Sequence, residues 1–208
     1  MGSVKEAALA VCYGAHAIGL VGKMPSGPGT IPDELILEIS KSVPPSVSRF
    51  LLTSETSSKG IVNHHKRTLT DTIQIVDIPE NQSYKLIKQQ LPYIKLVQVI
   101  HVIDDKSVDI AVSLSSLVDG LLLDSGNPNL KRKELGGTGR VHNWKLSRKI
   151  VESVKIPVFL AGGLTSENVA EAIEMVHPFG VDVCSGVRTN GFLDERKLVD
   201  FISTVNKL

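Results

Sequence analysis

The sequence predicts a parallel α/β barrel of the (βα)8, or TIM, type, formed as a single domain by residues 1–208. Three observations predict it. Short apolar runs rich in β-branched residues alternate with amphipathic segments along the whole chain. The apolar runs are continuous rather than alternating, which is typical of strands covered by helices on both faces. No linker or low-complexity tract divides the chain, whose length suits one such domain.

The predicted elements begin with a helix at 3–13, where Ser3 and Glu6 form a capping-box pair. Seven strands follow, at 16–21, 47–53, 72–77, 95–100, 119–123, 156–160 and 180–184. Seven further helices are predicted near 32–42, 57–66, 81–91, 106–116, 142–153, 165–176 and 194–207. Eight helices and only seven strands indicate that the first barrel strand is missing. We expect either a seven-stranded variant or a first strand upstream of Met1, with unpaired backbone flanking the gap.

Composition narrows the class of ligand. The formal net charge is +1 and the 23 basic residues are spread along the chain, so no nucleic-acid surface is expected. No basic and apolar leader is visible, and no run approaches the roughly 18 apolar residues of a membrane span. Cys12 and Cys184 lack disulfide or metal-ligand spacing, which favours a reducing cytoplasm and a protein with no metal and no cofactor. Small anionic ligands remain compatible with this charge.

Two strand-to-helix turns predict a phosphate site. Gly162-Gly163 ends one apolar strand and Ser185-Gly186 ends the next. Bare main-chain amides at such turns can approach an anion, and the last two turns of many barrels converge on one phosphate. A glycine pair alone more often makes only a tight turn, but the doubled arrangement favours phosphate.

Two carboxyl groups and one loop are candidates for chemistry. Asp124 closes the run Leu121–Leu123, where desolvation can raise the pKa of a carboxyl for use as a general acid. A loop cap is an equally good interpretation of Asp124. Asp182 is expected to be buried in its strand, either in the site or in a structural hydrogen bond. The glycine-rich segment Gly136-Gly137-Thr138-Gly139 is of a kind that can close over a ligand.

The histidines and cysteines give weaker signals. His64-His65 is expected on a solvated helix surface, and His101 lies at a strand end. Cys184 is interpreted as a small core residue, and Cys12 falls in a helix with no base near it in sequence. Neither cysteine is predicted to be a nucleophile.

Four motifs, in order and spacing, resemble one family: LLLDS at 121–125, GGTGRVHNW at 136–144, FLAGGLTSENVAEAI at 159–173 and PFGVDVCSGVR at 178–188. They are similar to phosphoribosylanthranilate isomerase, a tryptophan-pathway (βα)8 barrel. The resemblance is strong from about Asp119 onward and weaker but collinear before it.

The resemblance implies an Amadori rearrangement without metal, in which an acid opens the sugar ring and a base removes the C2′ proton. It implies Asp124 as general acid, Asp182 as a supporting carboxylate, and a phosphate held by Gly162, Gly163, Ser185 and Gly186. The family's first-strand cysteine base has no counterpart, and its arginine after the second strand is absent at 26–29. Asp77 stands where the family often has histidine, and Arg188 where it usually has glutamate.

The prediction is therefore a phosphoribosylanthranilate isomerase-like protein, a monomer or homodimer, whose partner is a phosphorylated sugar. Two alternatives stay open. One is a non-catalytic phosphosugar-binding relative. The other is an isomerase or lyase of a different phosphorylated sugar that uses His101 or Asp77 as base.

Overall fold

A computed structural model describes residues 1–25, 27–80, 82–131, 133–137 and 139–208. Seven parallel strands form one sheet in sequence order, β1-β2-β3-β4-β5-β6-β7. Their bounds are β1 Ala17–Val21, β2 Ser48–Thr53, β3 Thr72–Ile75, β4 Lys95–His101, β5 Gly120–Asp124, β6 Val158–Leu160 and β7 Gly180–Val181. The predicted seven strands in a partial TIM barrel are confirmed.

Eight α-helices connect the strands within the described ranges. They are α1 Val4–Cys12, α2 Asp33–Ser42, α3 Ser58–Thr68, α4 Ser83–Gln90, α5 Lys106–Leu114, α6 Trp144–Ser153, α7 Val169–Val176 and α8 Glu195–Val205. Side-chain caps fix several starts, because a helix leaves its first amides without partners. The Ser3 hydroxyl accepts from the Glu6 amide, and the Asp194 carboxylate accepts from the amides of Arg196 and Lys197.

Burial along the strands shows that one side of the barrel is open. All residues of β3 and β5 are buried. In β1 the helix-facing Ile18 and Leu20 are buried, whereas Ala17 is exposed on the other face. No ladder joins β1 to β7 in the described chain, and the Met1 ammonium donates to the Gly19 carbonyl oxygen of β1 at 2.5 Å. The gap predicted from the strand count therefore lies between β1 and β7.

Several predicted boundaries were wrong. The last strand of the sheet ends at Val181 rather than at residue 184, because only β6 pairs with it. Helix α7 starts at Val169 rather than near 165, since the Asn168 side chain accepts from the Thr165 amide and donates to the Gly163 carbonyl oxygen. A 3-10 helix (Ser185–Val187) and a small hairpin, β8 (Arg188–Thr189) with β9 (Phe192–Leu193), were not predicted.

The expectation for His64 and His65 was also wrong, because both side chains are buried. His64 pairs with Asp33 of α2 at 3.1 Å and with the Thr53 hydroxyl of β2 at 2.9 Å. Burial lowers the pKa of both histidines, against the opposing pull of Asp33 on His64. His64 thus ties α3 to α2 and to the sheet, whereas His65 contacts Thr70 ahead of β3.

Among the described helices, none combines the length and the apolar character that a membrane span requires.

Candidate active site

The carboxyl ends of the strands surround a cavity, as barrel geometry requires. Its floor is aliphatic, with Val76, Val99 and Leu122 among the lining residues. Its polar wall contains Asp124, Asp182, Cys184 and Ser185, together with Gly162 and Gly163 of the first predicted phosphate turn. Most of the residues predicted from sequence are therefore brought to one place.

Strand register places the two carboxyl groups at one level. Leu123 pairs with Leu160, and Leu160 pairs with Val181, so the next residues along these segments are Asp124, Ala161 and Asp182. The Ala161 amide donates to the Leu123 oxygen and the Asp182 amide to the Leu160 oxygen, both at 2.8 Å. Paired residues of a parallel sheet point to the same face. Asp124 and Asp182 therefore face the cavity on either side of a small alanine.

Asp124 is a buried acid. Its side chain is 7% exposed, and burial raises its pKa, while the Ser125 amide and the nearby His101 oppose that rise. The close packing extends to the glycine loop: a Cβ added to Gly136 would lie 2.9 Å from Asp124 Oδ2. A carboxyl whose pKa is raised by burial can give its proton to a ligand atom in the cavity.

Asp182 differs from the sequence expectation, because its side chain is exposed rather than buried in a strand. The cavity wall around Asp182 nevertheless withdraws water from its carboxyl group. This desolvation raises the pKa of Asp182 to about 6, and the neighbouring Asp124 adds to the rise. The two acids thus have different surroundings within one cavity.

The phosphate turns meet at the rim of this cavity. A Cβ on Gly186 would lie 2.0 Å from the Leu164 oxygen, so the two turns touch through main chain alone. No hydrogen bond found in the described chain uses the amides of Gly163, Ser185 or Gly186. These three amides, with Lys197 in the same small pocket, can therefore receive an anion.

The glycine-rich loop lies over Asp124. Gly136 and Gly137 line the cavity, and a Cβ on Gly137 would lie 2.5 Å from Pro28 of the loop after β1. Gly139 lies close to the Ser185 hydroxyl, 3.7 Å from the position of an added Cβ. The predicted loop residue Thr138 lies outside the described residues. The loop thus connects the acid to the phosphate turns.

Sequence reasoning missed two residues that shape the turns. The Asn168 side chain bonds the main chain of Gly163 and Thr165 and so fixes the shape of that turn. The sequence feature that could have indicated this role is the polar run Thr165-Ser166-Glu167-Asn168 directly after the glycine pair and Leu164. His142 packs behind Gly162, where an added Cβ would lie 3.0 Å from its Nδ1. Burial lowers the pKa of His142 to about 4, so the ring is neutral, and its Nε2 contacts the Ser147 hydroxyl at 2.7 Å.

Other candidates lie elsewhere or differ from expectation. Cys184 lines the cavity rather than filling the core, and Cys12 is exposed on α1. Asp77 forms an ion pair with Lys133, and His101 Nε2 contacts the Val76 oxygen at 3.0 Å. Arg188 is held by Glu6 at 2.8 Å, so it joins the last strand-to-helix loop to α1.

The described histidine, cysteine and acidic residues form no cluster suited to a metal ion. The cavity-lining residues with polar side chains are Gln74, Asp124, Asp182, Cys184 and Ser185.

Comparison with known proteins identifies the family. The family model described as N-(5′-phosphoribosyl)anthranilate isomerase matches residues 5–204. The chain belongs to this family. N-(5′-phosphoribosyl)anthranilate isomerase 2 of Methanosarcina mazei is 37% identical over 201 residues, covering 96% of this chain and 88% of that protein. The Methanocella arvoryzae isomerase is 32% identical, with 97% and 92% covered.

Solved isomerases share the fold. The enzyme from Thermotoga maritima superposes with a TM-score of 0.83 and 26% identity, and the one from Pyrococcus furiosus with 0.82 and 26%. Both comparisons cover 100% of this chain and 96% of the solved chain. The phosphoribosylanthranilate isomerase family is thus supported by sequence and by architecture.

Proposed function

We propose that this chain catalyses the Amadori rearrangement of N-(5′-phosphoribosyl)anthranilate in tryptophan biosynthesis. The observation that carries the proposal is the register that puts Asp124 and Asp182 at one level of a cavity whose rim holds turn amides without a partner among the described residues. This arrangement provides an acid for the sugar ring and an anchor for its phosphate. Membership of the isomerase family supports the same reaction.

The phosphate is proposed to bind at Gly162, Gly163, Ser185 and Gly186. Main-chain amides provide strong charge-assisted hydrogen bonds to phosphate oxygens, and the absence of side chains at the glycines lets the anion approach. Lys197 lies on the same pocket and adds positive charge, although its ammonium also donates to the Arg188 carbonyl oxygen at 3.1 Å. The anchored sugar then extends from this rim toward the carboxyls.

Asp124 is proposed to protonate the furanose ring oxygen. Its burial raises the pKa of the carboxyl, which favours the protonated acid, and Gly136, which lies beside it, is proposed to help cover the ring. Breaking the C1′–O bond gives an open-chain imine, from which a base must remove the C2′ proton. The free cysteines fit the reducing cytoplasm, where we propose that the protein acts as a monomer or homodimer.

Turnover of N-(5′-phosphoribosyl)anthranilate by the purified chain tests the proposal. We expect substrate fluorescence to decay with enzyme concentration, and the gene to complement a tryptophan auxotroph lacking this step. A second candidate is a non-catalytic phosphosugar-binding protein, favoured by Arg188, which directly follows the Ser185–Val187 segment and pairs with Glu6. Binding of ribose 5-phosphate without turnover and without complementation would establish that candidate instead.

A further inference from the structure

We propose that His101 is a positioning residue for the Asp124 acid and that its ring sets the pH range in which this acid can give its proton. The role rests on the proposed function, because an acid is needed only if the sugar ring is opened. His101 lies at the end of β4, beside the strand that ends in Asp124. Strand register, the hydrogen bond of the ring and its packing against the turn after β5 carry the proposal.

Strand register places the His101 and Asp124 side chains next to each other. The two residues pair in the parallel ladder of β4 and β5. The pair two residues earlier, Val99 with Leu122, lines the cavity. Because alternate residues of a strand share a face and neighbouring strands lie about 4.8 Å apart, His101 and Asp124 project side by side from the same inner face. The Val102 amide fixes this end of the ladder by donating to the Asp124 carbonyl oxygen at 2.9 Å.

One hydrogen bond fixes the orientation of the His101 ring. Its Nε2 lies 3.0 Å from the carbonyl oxygen of Val76, the residue just after β3. A carbonyl oxygen only accepts, so Nε2 carries a hydrogen and donates it. The other ring nitrogen, Nδ1, is buried and has no hydrogen-bond partner among the described residues. The ring is therefore anchored at β3 while it lies beside β5.

The turn after Asp124 packs against the same ring. A Cβ added to Gly126 would lie 2.5 Å from His101 Nδ1 and still closer to the Glu134 carbonyl oxygen. Glycine at this position leaves room for the ring and for the main chain of Glu134. Two residues further on, a Cβ added to Gly136 would lie 2.9 Å from Asp124 Oδ2. His101 thus supports both the strand end and the base of the loop that enclose the acid.

The charges around Asp124 give the ring an electrostatic role. Burial raises the pKa of Asp124, and His101 opposes that rise. Asp182, in the segment after β7, is a like charge, and its own pKa is raised by Asp124. Asp77, beyond the end of β3, is held in an ion pair with Lys133. A protonated His101 ring would therefore stabilise the Asp124 carboxylate against both burial and the second carboxylate.

Such a neighbour matters because an acid must release its proton as well as hold it. A carboxyl whose pKa is raised by burial alone stays protonated but is a weak proton donor. In the proposed ring opening, the acid O–H bond breaks and leaves its electron pair on the Asp124 carboxylate. The ring oxygen gains the proton and takes the electron pair of the C1′–O bond, while the nitrogen lone pair forms the C1′=N bond. His101 lowers the free energy of the carboxylate that remains.

Direct contact with a ligand is the rival role for His101. The ring is not among the described residues that line the cavity. Its Nε2 hydrogen is donated to Val76 and its Nδ1 is buried, so neither ring nitrogen is presented to a sugar. This placement suits action through Asp124 rather than proton transfer with the substrate.

The experiment compares the full chain with His101→Gln, in which the glutamine amide can still donate to Val76 while the ionisable ring is gone. His65→Gln is the matched control, because His65 is also a buried histidine but contacts Thr70 and does not line the cavity. kcat and KM are measured from pH 5 to 9. In aspartate-labelled protein, ¹³C NMR follows the titration of the Asp124 carboxyl, with Asp124→Asn to assign its signal.

We expect the Asp124 titration midpoint and the alkaline limb of kcat to move to higher pH in His101→Gln, because a charge that favours the carboxylate is lost. At pH 7, kcat should fall about tenfold, less than the roughly 10²- to 10⁴-fold effect of removing an acid, and KM should change less than about threefold. His65→Gln should keep the wild-type midpoint and the wild-type limb. Gly126→Ala, which displaces the ring, should move the midpoint upward as well and provides the test if His101→Gln fails to fold.

The outcomes separate the two proposals. A wild-type chain without turnover overturns the proposed function, and the NMR titration then decides by itself whether His101 acts on Asp124. An unchanged Asp124 midpoint in His101→Gln overturns the inference even if kcat falls, since the loss of rate would then be only structural. An equal shift in His65→Gln also overturns it, because the loss of any buried histidine would then have the same effect.

Discussion

Gly186→Ala tests the phosphate site through the contact between its two turns. The added methyl would lie 2.0 Å from the main-chain oxygen of Leu164, about 1.0 Å closer than the 3.0 Å that real Cβ contacts respect. Both atoms belong to main chain or Cβ, so the turns must separate by roughly that distance. An overpacked contact of this kind typically costs about 1–3 kcal/mol of stability.

Separation of the turns also weakens the anion site. A hydrogen bond of about 2.9 Å that lengthens by 1 Å is lost, and each bond to a charged group is worth about 1.5–3 kcal/mol. We therefore expect the affinity for ribose 5-phosphate to fall about 10- to 100-fold for the loss of one such bond, since 1.4 kcal/mol is a factor of ten. Isothermal titration calorimetry measures it directly.

Gly191→Ala provides the matched control. Gly191 has φ +83 and no atom within 4 Å of an added Cβ, so alanine there strains the backbone without entering the site. It should lower stability by about 1–2 kcal/mol and leave ribose 5-phosphate affinity unchanged. Wild-type affinity in Gly186→Ala, or an equal loss in Gly191→Ala, would refute the view that the two turns form one anion site.

Further predictions concern the acid and the pH dependence of stability. Asp124→Asn should lower kcat about 10²- to 10⁴-fold in steady-state assays and leave ribose 5-phosphate affinity unchanged; an active variant would exclude the acid role. Burial lowers the pKa of His142 to about 4 in the folded chain, whereas the same histidine has a pKa of about 6.5 when unfolded. As the pH falls, the unfolded chain therefore gains a proton first and becomes more favourable. Urea titrations should show the unfolding free energy dropping by about 3 kcal/mol between pH 6.5 and 4, a decline absent from His142→Gln. Although desolvation raises the pKa of Glu6, its hydrogen bond with Arg188 prevails and lowers it to about 2. Glu6→Gln should therefore destabilise the fold by about 1–3 kcal/mol at pH 7 and by progressively less as the pH falls from about 4.5 through about 2, by the same titrations.

Local patterns predicted the elements well where they were long and regular. Continuous apolar runs identified all seven strands of the sheet, and the cap at Ser3 marked the first helix correctly. The predicted ends of strands and helices were wrong where tertiary contacts determine them. The strand at Gly180–Val181 is short because one neighbour alone pairs with it, and α7 starts late because Asn168 bonds an irregular turn. Neither fact is present in local periodicity.

Burial was predicted less reliably than position. His64 was expected in solvent because helix α3 is rich in polar residues, yet it fits against Gly22, where an added Cβ would lie 2.3 Å from its ring. Asp182 and Cys184 were expected inside the core, yet both are exposed and line the cavity. Each error concerns burial, which depends on the residues that pack against a side chain. Sequence spacing does not identify those residues, because they are distant along the chain.

The sequence alone determined the alternation of seven strands with eight helices and the types of group at each strand end, because these depend on periodicity and local turn chemistry. Only the tertiary structure decided that Asp124 and Asp182 stand at one level across Ala161, and that the turn at Gly186 touches the turn at Leu164. Register between strands is set by packing and hydrogen bonding among segments distant in sequence, and it is this register that gives the carboxyls a common cavity.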